Sequence, residues 1–597
     1  MIEQGSIINA TGTLSFSRDT LTYAIKNIGA INECGGNVYT DGSSRTKTAI
    51  YNTGTITVTG GKIGINESNQ TEISQYGVNN NATFNFYGGE IYGSEDTVQG
   101  HISAIPEGKE VFIDEETNYT KMYLENIPSA LVSIGGNEYN TIGDAISVAS
   151  SGDTIKLLRS VILVSSIDIP SGKNIIFDLN GNSIESYADE YLINNNGTFK
   201  LTNELNGSTS VVESTYGTLN NEGTAEVNAV TIKNRIEGSS SAWRNLILNK
   251  GQLDITNIEE NINKEYTRLI DNEQGTLTYN SGNVILNANN TRVVYNNANV
   301  EINGGTFTST APNNVRWIEN VNDSHTTIQT ATVDFNSAII YNGINSTLNI
   351  EGGNYQATGT EEMIINGAAG NVNITGGTFN AKGTAIINKS TGNVTIDNCT
   401  IVSEENNAVY NESTGEITIG NNDGQVSTET PKIVSYTNYG VYNNTTGTIR
   451  YCDGQIIGKT GTVYGTLLIP STHKINQEDN VTEGGVEGLT KITLVPKGDT
   501  VAVATVNGIN YETLQAAVNV CGNGQSITII LQADITDQSV VQILQGRTIT
   551  IDLNGHTISP NVEIQNSGSL TIKNTQGTVE SGTYGTITGS GTLDIIN

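Results

Sequence analysis

The 597-residue sequence has little of several residue types on which metal and redox chemistry depends, with only 4 Cys, 4 His and 8 Pro. The cysteines lie far apart without a Cys-x-x-Cys pair, and the histidines are isolated from one another. This spacing signals neither a zinc site nor a disulfide framework. No apolar run approaches the roughly 18 residues of a membrane-spanning helix. We therefore predict no metal site, no cofactor and no membrane span.

Basic residues are also scarce, since 29 Lys and Arg stand against 61 Asp and Glu and leave a formal charge of −32. Such a charge disfavours nucleic acid and anionic lipid as partners, because both attract clustered Lys and Arg. Charged residues make up only 15% of the chain, whereas 66 Gly accompany abundant Asn, Thr and Ile. That composition is typical of many short strands joined by tight turns.

A short pattern ending in Asn recurs through the centre of the chain, beginning with Leu246-Ile247-Leu248-Asn249. The recurring residues stand 22 to 24 positions apart, with one longer final interval of 32: Asn249, Asn272, Asn296, Asn320, Asn342, Asn366, Asn388, Asn411 and Asn443. An alternating triplet such as Leu253-Asp254-Ile255 follows and predicts a second strand, and Gly304-Gly305 and its repeats lead into a third. Three strands per coil of 22–24 residues predict an all-β fold, the right-handed parallel β-helix.

The columns of this repeat predict which side chains are buried. The residue two places before each Asn is always aliphatic, as in Ile247 and Ile340, and should point into the core. The residue between it and the Asn varies freely and should face solvent. Stacked Asn side chains can hydrogen-bond to one another from coil to coil, so we interpret the nine asparagines as a structural ladder.

A larger repeat lies above the coils, because residues 132–203 align with residues 504–574 almost throughout. Both copies begin with a short amphipathic helix pattern, and a helix over the first coil would cover its open edge. Irregular connectors are expected after Ile105-Pro106 and Ile469-Pro470. We predict tandem modules: the C-terminal part of a β-helix with a connector at 1–131, a complete module with its capping helix at 132–503, and the start of a third at 504–597.

The helix pattern followed by Ile551-Asp552-Leu553-Asn554-Gly555-His556-Thr557-Ile558, together with the Asn- and Gly-rich coils, resembles a known family. It is similar to the pectate-lyase-like right-handed β-helix of large adhesin-like surface proteins of gut bacteria. The resemblance covers nearly the whole chain and implies architecture, because polysaccharide lyases, polygalacturonases, phage tailspikes and non-catalytic surface proteins share that fold. The polygalacturonase Asn-Thr-Asp and Gly-His-Gly motifs and the Arg-rich signature of pectate lyases are not found here.

Acidic residues provide no obvious catalytic pair, since none recurs with a basic partner at one-coil spacing. The candidates weighed for acid–base chemistry are Glu259, Glu260, Asp271, Glu319, Glu361, Glu362, Glu404 and Glu405. The segment Asn421-Asn422-Asp423-Gly424 suggests calcium in isolation, but the remaining ligands of known calcium loops are missing. Solvated turn residues explain that segment better.

Tyrosines recur in the outward column beside the Asn repeat. The set comprises Tyr295, Tyr341, Tyr410 and Tyr442, with Tyr51 at the equivalent place nearer the N-terminus. A Tyr ring can stack on a sugar while its hydroxyl forms hydrogen bonds. Exposed Tyr is also common on strands that bind nothing. The column is therefore a candidate glycan-stacking surface, with an unliganded strand face as the alternative.

These features favour a non-catalytic extracellular or cell-surface protein, an adhesin-like stalk or a β-helix that binds carbohydrate or a cell-surface protein. The alternative is a polysaccharide lyase, a glycoside hydrolase or a tailspike-like depolymerase on the same fold. Its catalytic carboxylates would lie on one outward face between modules. We also expect a fragment of a longer tandem protein, with neighbouring β-helix modules as partners and with the signal and anchor outside the fragment.

Overall fold

A computed structural model describes residues 7–10, 14–17, 23–41, 47–66, 69–205, 207–421, 426–497, 502–536 and 540–596. The chain forms an all-β parallel β-solenoid of about 23 turns, only 2% helical, and this fits a right-handed parallel β-helix. The solenoid fold predicted from the repeat is confirmed. The chain divides into two compact units, residues 1–470 with 475–494 and residues 471–474 with 495–597. The three-module division of the sequence stays a prediction.

The long solenoid of the first unit is built from three sheets that successive strands visit in turn. Sheet A contains, in spatial order, Asn137–Tyr139, Val132–Ile134, Asp153–Leu157, Asn174–Asp178, Thr198–Thr202, Thr224–Asn228, Gln252–Thr256, Thr276–Tyr279, Asn299–Ile302, His325–Ile328, Thr347–Ile350, Asn371–Ile374, Val394–Ile396, Ile417–Ile419, Ile449–Tyr451 and Leu467–Leu468. Sheet B contains Val161–Leu163, Ile184–Ser186, Val211–Ser214, Thr231–Asn234, Ile258–Ile262, Gly282–Leu286, Thr306–Ser309, Thr332–Phe335, Asn354–Ala357, Thr378–Ala381, Thr400–Ser403, Lys432–Ser435, Gln455–Gly458, Val486–Pro496 and His473–Glu483. Sheet C contains Ile167–Ile169, Tyr191–Asn195, Gly217–Asn221, Arg244–Asn249, Thr267–Asn272, Thr291–Asn296, Arg316–Asn320, Ile340–Asn342, Ile364–Asn366, Ile386–Asn388, Val409–Asn411, Tyr439–Asn443 and Gly461–Tyr464.

A shorter stack of strands precedes the long solenoid in the same unit, and we call it the N-terminal stack. One of its sheets joins Ile7–Ala10, Ala30–Cys34, Thr55–Ile63, Thr83–Gly93, Thr120–Asn126 and Lys109–Glu115, with Leu14–Ser17 and Val38–Asp41 beside this path. A second sheet joins Asp96–Gln99, Tyr76–Asn80, Thr48–Asn52 and Tyr23–Asn27, and a third pairs Ile65–Asn66 with Asn69–Ile73. Parallel pairing again dominates.

The stretches after Ile105-Pro106 and Ile469-Pro470 were expected to be irregular, but they contain strands. Lys109–Glu115 and Thr120–Asn126 form an antiparallel hairpin, and the second strand pairs antiparallel with Thr83–Gly93. In the long solenoid, strand Val486–Pro496 likewise pairs antiparallel with Gln455–Gly458, the last regular strand of sheet B. Strand His473–Glu483 lies next to Val486–Pro496 at the edge of the sheet. A hairpin carries no coil-length repeat, so a search for Asn-spaced coils does not detect it.

The second unit contains a short solenoid of its own. Its larger sheet joins Ile509–Tyr511, Ala504–Val506, Ser526–Leu531, Thr548–Asp552, Ser569–Lys573 and Thr592–Ile596, and a smaller sheet joins Val540–Ile543, Ile558–Asn566 and Tyr584–Thr588. Its buried apolar side chains form a separate core cluster.

Two short helices lie where the amphipathic patterns predict them, at Ile142–Val148 and Leu514–Asn519. Thr141 and Thr513 are their N-caps, each accepting a hydrogen bond from a backbone N–H of the first turn at 3.1 Å. Each helix buries three apolar side chains in the core of its own unit, among them Ile146 and Val518. Neither helix is long and apolar enough to cross a membrane.

The aliphatic column before the Asn repeat lies in the core, as alternation along a strand requires. All nine members are at most 1% exposed: Ile247, Ile270, Val294, Ile318, Ile340, Ile364, Ile386, Val409 and Val441. Seven side chains of the adjacent column are partly exposed, but Asp271 and Ile387 are only 8% and 3% exposed. The expectation that this whole column faces solvent was wrong for these two. Arg268 and Asn245 bond to the Asp271 carboxylate and cover it.

The Asn side chains form one continuous row of hydrogen bonds inside sheet C. Each Nδ2 donates to the Oδ1 of the next coil at 2.7–3.1 Å along the whole row, Asn195, Asn221, Asn249, Asn272, Asn296, Asn320, Asn342, Asn366, Asn388, Asn411 and Asn443. The row therefore begins two coils earlier than the predicted set. A matching row, Asn27, Asn52 and Asn80, runs through the N-terminal stack at 2.7 Å. All these amides are buried, so every one depends on its neighbours for hydrogen bonds.

We expect Asn342→Ala to destabilise the solenoid strongly. Asn342 accepts from Asn320 at 3.1 Å and donates to Asn366 at 2.9 Å and to two backbone carbonyls. Its removal leaves these buried groups unpaired, which should cost about 2–4 kcal/mol of unfolding free energy in urea denaturation. Asn349→Ala is the control, because Asn349 belongs to a partly exposed amide row on the outer side of sheet A, with Asn373 and His325. Its effect should stay below about 0.5 kcal/mol. Equal losses for the two variants would contradict a special role of the buried row.

The carboxyl group of Glu260 is buried inside the long solenoid. Strand Ile258–Ile262 alternates between buried and exposed positions, and Glu260 occupies a buried one, 4% exposed, opposite Val284 of the next coil. One carboxyl oxygen accepts the Asn261 N–H at 2.9 Å, and the other has no hydrogen-bond partner. Burial raises the pKa of Glu260 to about 8. Of the acidic pair weighed for catalysis, Glu259 is thus exposed and Glu260 is a core residue.

The stability of the protein should reflect the Glu260 pKa. The folded state binds more protons than the unfolded state between the ordinary carboxyl pKa and about 8, so stability falls as pH rises through that range. The melting temperature of the wild type should match that of Glu260→Gln near pH 5 and drop below it by pH 9. Glu259→Gln, on the same strand with an exposed side chain, is the control. A wild-type-minus-variant difference that is constant with pH would overturn this assignment.

Candidate functional site

The five predicted tyrosines occupy three different environments. Tyr51 stacks on Tyr23 in the N-terminal stack, with ring centroids 5.7 Å apart. Tyr295 and Tyr341 lie on sheet C beneath arginine side chains. The last two, Tyr410 and Tyr442, lie further along sheet C in a cluster of aromatic rings. The single continuous column expected from the sequence is therefore divided into separate surfaces.

The tyrosine cluster consists of Tyr410, Tyr439, Tyr442 and Tyr464. Tyr442 is central, with ring centroids 5.5 Å from Tyr410, 5.4 Å from Tyr439 and 4.6 Å from Tyr464. The rings of Tyr442 and Tyr464 are nearly parallel, with an interplanar angle of 11°, and Tyr464 is 47% exposed. Four adjoining rings at the surface form an apolar platform with polar hydroxyl edges.

The coil register explains why these rings meet. Tyr410 lies opposite Tyr442, and Tyr442 lies opposite Tyr464, so three outward positions coincide in consecutive strands. The sequence analysis missed Tyr464 because Gly465 follows it where the repeat has Asn. The dipeptide Val463-Tyr464, which repeats Val409-Tyr410 and Val441-Tyr442, was the available signal.

A second surface on sheet C combines arginines with aromatic rings. This arginine–aromatic face consists of Tyr216, Trp243, Arg244, Arg268, Arg292, Tyr295, Arg316 and Tyr341. Arg268 lies opposite Arg292 in the strand register, and Arg292 lies opposite Arg316. The Arg268 guanidinium is 3.6 Å from the centroid of the Tyr295 ring, and that of Arg316 is 4.7 Å from Tyr341. These distances are within the range of cation–π contacts.

Two carboxylates pair with the arginines of this face. Asp271 binds Arg268 at 2.7 Å, and Glu319 binds Arg316 at 2.8 Å and also Arg292. Burial disfavours the ionised form of Glu319, but Arg292 and Arg316 outweigh it and hold the pKa of that carboxyl below its ordinary value. For Asp271 burial dominates and raises the pKa. The arginines thus determine the direction of the pKa shift at Glu319, whereas burial determines it at Asp271.

Sequence reasoning missed the arginine repeat and the two Arg–acid pairs in alternate coils, Arg268 with Asp271 and Arg316 with Glu319. Arg268, Arg292 and Arg316 each stand four residues before an Asn of the ladder, 24 residues apart. Asp271 and Glu319 each follow an arginine at the same spacing of three. The aligned coils do show this repeat, in the column four residues before each Asn.

A polar cleft of about 1450 Å³ lies between the N-terminal stack and the first coils of the long solenoid. Its lining includes Tyr51, Tyr76, Asp96, Glu190, Glu213, Tyr216, Arg235, Glu237, Arg244 and Lys264. Tyr216 and Arg244 also belong to the arginine–aromatic face, so the two surfaces are continuous. Burial raises the pKa of the Glu213 carboxyl. Carboxylates, cations and aromatic rings thus line one concave site.

Arg235 joins the two walls of this cleft. Its guanidinium forms ion pairs with Asp96 of the N-terminal stack and Glu185 of sheet B. It also lies 3.9 Å from the centroid of Tyr187, a buried ring that packs in the core of the N-terminal stack. The Arg235 side chain is only 7% exposed, and burial lowers its pKa. A buried cation shared by two carboxylates holds the stack against the solenoid.

We expect Arg235→Met to loosen the N-terminal stack. The substitution leaves two partly buried carboxylates without their cation, which typically costs about 3–5 kcal/mol. Limited proteolysis should then release fragments ending near residues 100–130 earlier than in the wild type. Arg450→Gln is the control, because the Arg450–Glu416 pair is exposed, and it should leave the cleavage rate unchanged. Identical cleavage of Arg235→Met and wild type would contradict the role given to Arg235.

Possible metal ligands are dispersed and the cysteines are buried among the described residues. No group of three or more His, Cys, Asp and Glu side chains in that part of the chain is placed to hold a metal ion. Of the segment weighed for calcium, residues 422–424 lie outside the described residues. Cys34, Cys399, Cys452 and Cys521 are free and buried, and burial raises the pKa of Cys399 to about 12. Such a thiol stays protonated and unreactive at neutral pH.

Comparison with known proteins identifies no counterpart: no protein-family model matches the chain, and neither a curated protein nor a solved structure matches it.

Proposed function

We propose that this chain is a non-catalytic, extracellular surface protein, adhesin-like, that presents a carbohydrate-binding surface on a parallel β-helix. The fold suits such a role, because each coil contacts only its neighbours and adds length at about 4.8 Å per strand. Sheet C of the long solenoid has 13 strands, which corresponds to roughly 60 Å of rod. The resemblance to pectate-lyase-like β-helices of adhesin-like proteins agrees with this proposal.

The tyrosine cluster is the observation that carries the proposal. An aromatic ring binds the apolar face of a sugar, while its hydroxyl and nearby amides bond to sugar hydroxyls. Four adjoining rings, Tyr410, Tyr439, Tyr442 and Tyr464, offer more than one stacking position along sheet C. An outward aromatic cluster contributes little to the core, so a binding role accounts for it better than a packing role.

The alternative is a polysaccharide lyase, a glycoside hydrolase or a tailspike-like depolymerase, and the polar cleft is the observation in its favour. Glu213 lines that cleft with a raised pKa, as a general acid requires, and Asp96 lies on the opposite wall. Asp96 is, however, bound to Arg235 in the contact that joins the two walls. Because Asp96 has this structural role, it is a poor candidate for the second catalytic carboxylate of an enzyme. Glycan binding without catalysis is therefore the better supported function.

Glycan binding by the purified chain should be saturable and should depend on the tyrosine cluster. In a broad glycan array followed by titration calorimetry, Tyr442→Ala/Tyr464→Ala should lose at least about tenfold in affinity, because two stacking contacts disappear. Both side chains point outward, so the melting temperature should change little.

Tyr87→Ala is the control for this experiment. It removes a tyrosine that is as exposed as Tyr464, at 47%, but lies on strand Thr83–Gly93 of the N-terminal stack, outside both the tyrosine cluster and the arginine–aromatic face. Binding that survives both variants, or binding to no glycan at all, would contradict the proposal. Release of reducing ends or unsaturated products from any glycan, abolished by Glu213→Gln, would establish the enzymatic alternative instead.

A further inference from the structure

The distribution of arginine along this chain is uneven. The sequence contains 10 Arg, and four of them, Arg244, Arg268, Arg292 and Arg316, fall in four consecutive strands of sheet C. Like charges in adjacent strands repel one another and destabilise a sheet unless something compensates them. In a chain with a formal charge of −32, such a concentration of cations calls for a physical explanation.

Internal ion pairs compensate only part of this charge. Asp271 and Glu319 are the two carboxylates in ion-pair contact with the four guanidinium groups among the described residues. These ion pairs involve two carboxylates for four guanidinium groups. Arg292 has a structural role and is not accessible to a ligand. Its side chain is 5% exposed and donates hydrogen bonds to Glu319, to the Thr291 carbonyl and to Asn314.

Arg244 is the arginine that remains available. Among the described residues no carboxylate lies within ion-pair distance of it, and its buried Nε has no hydrogen-bond partner. Its guanidinium lies 5.5 Å from the Tyr216 ring centroid, where the arginine–aromatic face meets the polar cleft. The buried Nε of Arg268 also lacks a partner. Arg244 is partly exposed and lines the cleft, so a bound anion would supply acceptors for the accessible part of its guanidinium.

Aromatic rings lie between these cations. The Trp243 ring is 5.1 Å from the Arg268 guanidinium and 5.2 Å from that of Arg292, and Tyr216 adjoins Arg244. A planar guanidinium donates two parallel hydrogen bonds to a carboxylate or sulfate, and the rings supply a surface for the sugar that carries it.

Resting on the proposed glycan binding, we propose that the arginine–aromatic face selects glycans carrying an anionic group, a carboxylate or a sulfate ester, and that Arg244 binds that group. The overall negative charge repels dense polyanions at long range. This favours sparsely charged glycans over nucleic acid, whose affinity depends on many phosphate contacts.

The test compares four probes of similar length: a glucan oligomer carrying one hexuronic acid, the same oligomer carrying one sulfate ester, the neutral glucan oligomer and single-stranded DNA. We expect the wild type to bind at least one anionic glycan tenfold or more tightly than the neutral one, with affinity that falls as salt rises. The carboxylated and sulfated probes distinguish the two sources of negative charge. DNA binding equal to that of the anionic glycans would overturn glycan selection.

Arg244→Gln is the decisive variant, because Arg244 has no ion pair and its removal leaves no carboxylate uncompensated. It should lower affinity for the anionic glycan about tenfold, and Arg244→Lys should restore only part of the loss, since lysine lacks the planar fork. Arg450→Gln, at an exposed arginine on sheet A, is the control and should change nothing. Melting temperatures of all three variants should match the wild type.

The outcomes separate this inference from the proposed function. Neutral and anionic glycans bound equally, or anionic binding lost in Tyr442→Ala/Tyr464→Ala but unchanged in Arg244→Gln, would refute the inference and leave glycan binding intact. Failure of every glycan to bind would refute both.

Discussion

The buried row of asparagine amides is the interaction on which the rest of the long solenoid depends. Each amide is both donor and acceptor, so a coil that slipped by one residue would turn its Asn outward and leave the amides above and below unpaired. The row therefore holds successive coils in one register. Because side chains alternate across a strand, the same register places the aliphatic residues in the core and the intervening residues on the outer face.

This register has opposite energetic consequences for different outward residues. Tyrosines at equivalent positions, such as Tyr442 and Tyr464, meet ring to ring and attract one another. Arginines at equivalent positions, such as Arg268 and Arg292, meet as like charges, and carboxylates and aromatic rings must offset their repulsion. A column of arginines is therefore harder to accommodate in a solenoid than a column of tyrosines. Its presence is the stronger indication that the surface binds a ligand.

Most buried polar side chains outside the amide row are uncharged. Glu260 is an exception, since it stands at an inward position of a strand whose other inward residues are isoleucines, and it is kept largely protonated by burial. Arg235, in contrast, is a buried cation that stays charged. Two carboxylates, Asp96 and Glu185, form ion pairs with it from different parts of the unit. Arg235 shows that a buried charge can depend on a partner that lies far away along the chain.

The sequence by itself determined the periodic part of this protein: the solenoid, the inward aliphatic column, the position of the helices and the nine central asparagines of the amide row. These follow from the sequence because one coil repeats the next, so local spacing encodes contacts between coils. It also placed tyrosines on the outer face of sheet C. Only the tertiary structure decided that Asp96 meets Arg235 across 139 residues, that Glu260 is buried, that hairpins follow the coils and that Arg244 lies in a cleft. These features have no period, and they arise where the chain departs from its own repeat.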